Sequence, residues 1–387
     1  MIRSGHFIPL IACKKGFSNN VSGHVQMPLH AIKLLADANH EVHLFTNPPT
    51  EDRPDLPDIL PSNINIHFVT DGRKRTIVKG GVGGKGKGFR PVALFKQINQ
   101  IKEIVRKEKL ELFHAYGYGR TASFSSLLKF SGLKAPAFVT LFGLPQLSAK
   151  ERLIRKTWKR LHLISCTSYV QELLQQSKLP ATLIRTGPVR NMFTELKEDS
   201  VTRKDRVLFW RDPTAANGAD ICLKAFQQLA PEYPSVTFEF AIRPHWNEID
   251  GIETLEQTFE NVKVHRFPYK DGITIADLVT SSKVIVLPFR KHSIHPQLAI
   301  AESLACGIPT ITTDLCSARE IVREGENGFL TPVDNVTATV QKIKEVLDSD
   351  ELFNKLSRQA KQSIKEQWGW SDYVNEVDTL YQRVIQK

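Results

Sequence analysis

The chain alternates short runs of β-branched and aromatic residues with longer stretches in which apolar residues recur every three or four positions. In its first half the extended runs His6–Ala12, Glu41–Thr46, Ile64–Thr70, Leu110–His114, Ala137–Leu141, Leu161–Cys166 and Thr182–Arg185 predict strands. Between them Val25–Ala38, Val92–Lys107, Thr121–Phe130 and Tyr169–Gln176 carry the helical period. Strand, helix and strand in that order imply parallel pairing through right-handed crossovers, hence a doubly wound α/β sheet. The polar stretch Asn191–Lys204 interrupts the pattern, which then resumes. Strands are predicted at Arg206–Trp210, Val236–Ala241, Val262–Arg266, Val284–Leu287 and Thr310–Thr313, with helices such as Ala219–Leu229 and Ile273–Thr280 between them. Two Rossmann-like parallel-sheet domains are expected, over 1–190 and 204–368. The last segment, Trp368–Gln386, reads as a helix rich in aromatic and large aliphatic residues.

Length supports the division, because 387 residues exceed one ordinary core. The hydrophobic share of 41% and charged share of 24% are those of a soluble globular protein. No apolar run reaches the roughly eighteen residues of a membrane span. Phe7–Cys13 is followed by Lys14-Lys15 and reads as a first strand, not a signal peptide. Five widely spaced cysteines without a C-x-x-C suggest reduced thiols and a cytoplasmic location. Charge is uneven. Residues 1–200 hold 30 Lys and Arg against 15 Asp and Glu, whereas the remainder hold 22 against 26. The basic half suits an anionic partner, such as a phosphorylated or lipid-linked acceptor, an anionic membrane face or nucleic acid; a merely solvated basic surface is the alternative.

Candidate chemistry concentrates in residues 298–330, LAIAESLACGIPTITTDLCSAREIVREGENGFL. One acid, Glu302, sits in a short apolar helix that a Gly-Ile-Pro turn stops. The strand Thr310–Thr313, a helix Ser317–Arg323 and a Gly-Glu-Asn-Gly turn follow. Pro296 suits a first helical turn, which leaves the backbone N–H groups of Gln297, Leu298 and Ala299 available to an anion. This composite resembles the nucleotide-sugar half of GT-B glycosyltransferases of family 4. The resemblance implies a GT-B fold with a C-terminal helix, 369–387, crossing back to the first domain. It implies transfer of a sugar from a nucleotide-sugar donor to a saccharide, lipid-linked or other anionic acceptor, with retention of configuration. No metal or other cofactor is implied, and no nucleic acid is expected as partner. In the family the acid at Glu302 holds the donor ribose, so Glu302 is expected to face a cleft rather than pack in a core.

The chain also departs from that pattern. The family's first glutamate falls at Ile294, eight positions before Glu302, and its Phe-Gly falls at Pro296-Gln297. His292, Ser293 and His295 lie near enough to substitute, and Arg290-Lys291 to reach a phosphate. At the start of the second domain the family's diphosphate-binding arginine and lysine fall at Asp212 and Asn217; a one-residue shift offers Arg211, and Arg243 is a second supplier of charge. In the first domain Ser22 and Gly23 match a small-residue loop at the donor phosphates, or cap a helix. His114 and Tyr116 stand where the family has His-x-His near sugar and acceptor; with Arg211 they are the candidate catalytic residues, and a structural histidine and core tyrosine are the other reading.

Two features sit outside the resemblance. Lys79–Gly88 contains a G-x-G-x-x-G and a near Walker A, yet no buried strand precedes it; a flexible basic loop is the preferred reading over a P-loop or nucleic-acid site. The segment Leu147–Arg160 sets Lys150, Arg152, Arg155, Lys156, Lys159 and Arg160 around Leu153, Ile154 and Trp158, a pattern suited to an anionic membrane surface or to a solvated edge. Missing family acids and bases leave a further alternative, a GT-B-shaped binding or partner subunit without transfer activity.

Overall fold

The computed structural model describes residues 1–9, 23–48, 63–69, 91–144, 153–188, 203–370 and 372–386. By contact these fall into two units. One holds the described residues up to Thr186 with the C-terminal segment from Trp370, and the other runs from Gly187 to Gly369.

In the first unit β1 (Arg3–Phe7), β2 (Glu41–Thr46), β3 (Asn65–Phe68), β4 (Leu112–Gly117), β5 (Ala137–Leu141), β6 (His162–Ser165) and β7 (Ala181–Leu183) form a parallel sheet in the order 3-2-1-4-5-6-7. The expected strands agree at β2 and β5. β4 differs. Lys109 turns the chain with a positive φ and Leu110 N–H closes the preceding helix on the Val105 carbonyl, so the strand begins two residues later and runs to Gly117. His114 is therefore inside the strand rather than at its end.

Period-two alternation then sorts the residues. His6 pairs in register with His114, and His114 with Phe138, so Ser4, His6, His114, Tyr116, Phe138 and Thr140 share one face. Phe7, Phe113, Ala115, Val139 and Leu141 take the other and pack in a hydrophobic core with Ile98, Ile101 and Leu128. The polar face is covered by the last helix, Tyr373–Ile385, which buries Tyr373, Val377, Leu380 and Tyr381 at the spacing of a helical stripe. Buried polar groups need partners, and the two histidines of this face have them. His114 shares hydrogen bonds with Tyr381 Oη (2.5 Å) and Thr140 Oγ1 (2.8 Å), and His6 with Tyr116 Oη and Ser4 Oγ (both 2.9 Å). Tyr116 also bonds with Tyr373 and Tyr381. Burial pushes the His6 imidazole down to about 3 and His114 well below its ordinary value. Both rings are neutral at pH 7.

The second unit repeats the plan. β8 (Arg206–Phe209), β9 (Thr237–Ile242), β10 (Val262–Arg266), β11 (Val284–Leu287), β12 (Thr310–Thr313) and β13 (Gly328–Thr331) are parallel in the order 10-9-8-11-12-13. Phe209, Phe226, Phe238 and Phe240 lie in one core with the aliphatic residues of β11. Pattern reading did not anticipate β13, which is short and follows directly on a turn. The turn explains itself. Asn327 is fully buried, donates to Ile321 O and Ser363 Oγ, and accepts from Arg323 N–H; a side chain at Gly328 would meet Thr310 O at 2.2 Å. Trp368 ends the helix Asp350–Gln367 with its Nε1–H on Glu320 O, so the last helix begins at Tyr373 rather than at Trp368.

Three expectations meet the structure elsewhere. Arg155 is 2% exposed and donates to Ser177 Oγ, so it belongs to the interior, whereas Lys156, Lys159 and Arg160 are exposed. The four described cysteines are free thiols, three of them buried. Among the described residues no helix is long and apolar enough to cross a membrane.

The network under the last helix yields a stability prediction. Tyr381→Phe keeps the ring but leaves a buried nitrogen of His114 without its partner, a cost of about 1–3 kcal/mol. Urea unfolding of the variant should show an earlier transition with an unchanged slope. An unshifted midpoint would mean that the hydroxyl contributes nothing net.

Candidate functional site

Both sheets reverse their strand order next to their first strand, between β1 and β4 and between β8 and β11. In open α/β sheets ligands settle beyond the carboxyl ends of the strands at such a reversal. In the first unit the segment after β1, including Ser22, lies outside the described residues; Gly23 is the first residue of the helix Gly23–Asp37. In the second unit the segments after β8 and β11 are both described.

They are drawn together by a glycine. Gly218 has φ +78°, and a Cβ there would stand 2.0 Å from the Pro288 carbonyl oxygen. The N–H groups of Arg290 and Lys291 both reach Ala216 O, at 3.0 and 3.3 Å. Arg290 then grips Asp220 with two hydrogen bonds (2.5 and 2.7 Å) and also pairs with Asp334. Those carboxylates hold the pKa of the guanidinium above its ordinary value. Arg290, a candidate phosphate contact by sequence, is thus a strap between two loops. Asp220, its partner, carries no signal in the sequence beyond being an acid in the first turn of a helix.

The β11 exit leads through Phe289, His292, Ser293, Ile294 and His295 to the helix Leu298–Ala305. That helix starts at Leu298 with Gln297 as its cap, two residues later than a Pro296 start would give, so its free first-turn N–H groups begin at Leu298 and Ala299. The side chains of Leu298 and Ala299 pack inward, leaving only their backbone to meet a ligand. Two bonds fix the segment: His295 Nδ1 with Ser317 Oγ at 2.7 Å, and Trp210 Nε1–H to Ser303 Oγ at 3.1 Å.

Glu302 is 2% exposed, between Ala301 and Ser303 in a helix buried almost throughout. A carboxylate in so apolar a helix is kept against its desolvation cost. His292 is 7% exposed, with Phe289 edge-on at 5.2 Å and His295 at 5.7 Å. Burial first, then His295 and the charge of Arg211, push its imidazole down to about 3; burial takes His295 to about 4. Both are neutral at pH 7. Arg211 is half-buried just past β8, and Arg243, past β9, pairs with Asp212 at 3.3 Å. Asn217, at the family's lysine position, donates to Asp212 O.

The structure therefore brings Arg211, Arg243, His295, Gln297, Leu298, Ala299 and Glu302 to one edge of the second sheet. It does not bring His114 and Tyr116 to an open edge. Both are sealed in the hydrogen-bonded layer beneath the last helix, with both nitrogens of His114 engaged, and the arrangement is structural rather than catalytic. The glycine cluster Lys79–Gly88 lies outside the described residues. Among the described residues no three or more His, Cys, Asp or Glu are grouped to hold a cation.

Residues 194–363 match the family described as Glycosyl transferases group 1. Sucrose-phosphate synthase from Thermosynechococcus elongatus superposes with a TM-score of 0.75 at 17% identity, over 99% of either chain. Anabaena HepE, solved in complex with UDP and glucose, superposes with a TM-score of 0.68 at 14% identity, over 99% of this chain and 100% of that one. The chain has the GT-B fold, and its second unit is similar to the Glycosyl transferases group 1 family. Curated relatives agree at lower resolution. An N-acetyl-alpha-D-glucosaminyl L-malate synthase of Bacillus anthracis is 28% identical over 111 residues, 29% of this chain and 29% of its own. An uncharacterized glycosyltransferase of Methanocaldococcus jannaschii is 23% identical over 306 residues, 77% of this chain and 83% of its own. The chain thus spans under a third of the first relative's length and most of the second's.

The glycine contact generates a test of the site's scaffold. Gly218→Ala places a side chain against Pro288 O at a left-handed φ, and strain of this kind costs about 1–3 kcal/mol. The variant should unfold at lower denaturant than wild type in equilibrium titrations. Wild-type stability would show that the two loops part without cost.

Proposed function

We propose that this GT-B glycosyltransferase takes a sugar from a nucleotide-sugar donor, with retention of configuration, and passes it to an anionic or lipid-linked acceptor. The observation that carries the donor half is the buried Glu302 inside an apolar helix, whose start lies at the strand-order reversal between β8 and β11; Arg211 follows β8 and its charge acts on His292 in the β11 exit. A carboxylate accepts two hydrogen bonds from a ribose diol, and helix-start N–H groups with an arginine suit a diphosphate. HepE, of the same fold, was solved with UDP and glucose, which supports a uridine nucleotide among the donors to try. In this mechanism the protein's work is electrostatic: N–H groups and Arg211 stabilise charge gathering on the departing diphosphate.

Glu302→Gln keeps the volume and replaces one acceptor oxygen by a donor. A hydrogen bond to a charged group is worth about 1.5–3 kcal/mol, so nucleotide affinity should fall roughly ten- to a hundred-fold. Calorimetry with UDP, GDP and ADP measures it after a thermal-shift panel has chosen the nucleotide. Equal affinity in a folded variant removes Glu302 from the site. Ile294 at the position of the family's first acid favours a second reading, a nucleotide-binding partner subunit; donor hydrolysis or transfer by the purified chain excludes it.

For the acceptor half, the support is the basic first unit. Lys156, Lys159 and Arg160 are exposed beside Leu153 (66% exposed) and Phe130 (54% exposed), and Arg160 lies over the Phe130 ring at 4.7 Å. Cations with apolar neighbours suit an anionic membrane surface, which would set the enzyme at the cytoplasmic face. Such attraction is screened over about 8 Å at physiological salt. Charge reversal at Lys156, Lys159 and Arg160 should abolish sedimentation with anionic vesicles and raise the acceptor KM, leaving donor affinity alone. Vesicle binding that ignores both salt and charge reversal sinks the membrane role.

A further inference from the structure

The imidazole of His292 is buried, and neither ring nitrogen has a hydrogen-bond partner in the protein. Its surroundings offer none: Phe289 presents an edge, His295 spends its Nδ1 on Ser317, and Arg211 contributes only repulsion toward a protonated ring. Buried polar atoms in folded proteins are almost always satisfied, and each orphan calls for a missing partner. Here two orphans sit on one ring, between the end of β11 and the first turn of the Leu298–Ala305 helix, where the strand order reverses.

The chemistry of the ring selects the partner. A neutral imidazole has one N–H donor and one bare acceptor nitrogen. Phosphate oxygens only accept, so a phosphate would satisfy one nitrogen and leave the other bare. Serving both would require an imidazolium, which burial, His295 and Arg211 all oppose. Hydroxyl groups donate and accept. A sugar hydroxyl on each side completes the ring without any change of charge.

We propose that His292 is a sugar-recognising residue, hydrogen-bonding hydroxyls of the transferred sugar through both nitrogens of a neutral ring. The assignment rests on the nucleotide-sugar reading above and adds to it how the sugar end is read. Ile294, buried nearby, offers no polar group to do so.

The test compares each nucleotide with its sugar conjugate. Wild type, His292→Phe and His292→Gln are titrated calorimetrically with UDP, GDP and ADP and with UDP-glucose, GDP-mannose and ADP-glucose. His292→Leu stands in should Phe not be accommodated. Losing two neutral hydrogen bonds weakens binding roughly 5- to 100-fold. His292→Phe should lose that much affinity for the preferred conjugate while binding the bare nucleotide as wild type does. Gln, which both donates and accepts, should restore part of the difference. Equal affinity of His292→Phe for the conjugate overturns the inference and leaves the donor reading standing. Equal losses for conjugate and bare nucleotide also overturn it, because they place the ring at the nucleotide or in the scaffold. A wild-type chain that binds none of these compounds overturns both readings.

Discussion

The second unit's carboxyl edge depends on one close contact, Gly218 beneath the Pro288 carbonyl. β8 and β11 are neighbours whose following helices leave on opposite sides, since the strand order reverses between them. Their exits would part and open a gap floored with unpaired backbone. With no side chain at 218 the two exits meet instead, Ala216 O takes the N–H groups of Arg290 and Lys291, and Arg290 closes over Asp220. Only then does the segment 291–297 have a fixed start, and only with a fixed start can its buried histidines and the helix behind it hold one geometry. The arginine's value here is its planar fork, which engages both carboxylate oxygens at once.

Much of this fold was legible because parallel sheets write themselves plainly. Strands of a covered parallel sheet read as β-branched runs, and five strands, β2, β5, β10, β11 and β12, keep their predicted bounds. β13 was not legible: four residues beginning with glycine resemble the end of a turn, and only the Thr310 backbone explains why glycine stands there. The candidate site was legible at Glu302 and the helix start, where one acid interrupts an apolar period. Arg290 was misread for a physical reason. A basic residue after a strand looks like a phosphate ligand, and the acids that claim it, Asp220 and Asp334, lie 70 and 44 residues away in sequence.

His114 and Tyr116 show the same limit more sharply. Two titratable residues near a strand's end suggest chemistry, yet the register of β1 against β4 and β5 lays His6 and Thr140 beside them, and the last helix brings Tyr373 and Tyr381 over the top. None of those partners is near in sequence; even Thr140 lies 26 residues from His114. The outcome is a polar layer between sheet and helix in which each hydroxyl or imidazole serves another. Such a layer carries direction as well as energy, because a helix sliding by one turn would leave several buried groups unmet at once. An apolar face would tolerate the slip. The C-terminal helix is held in register by hydrogen bonds that an aliphatic stripe does not supply.

The donor-side edge differs from a carboxylate-rich one in its electrostatics. With isoleucine at 294 and two neutral imidazoles around it, the charged side chains at this edge include Glu302, the cation Arg211 and the ion pair Arg243–Asp212. Under the proposed reading this favours the diphosphate end, whose charge grows as the bond to the sugar breaks and which the cation and N–H groups stabilise in proportion. It gives up the stabilisation that an anion would lend to positive charge developing on the sugar. The balance places the weight of catalysis on the leaving group. Sugar recognition is left to hydrogen bonds, which orient a ring without perturbing its charge.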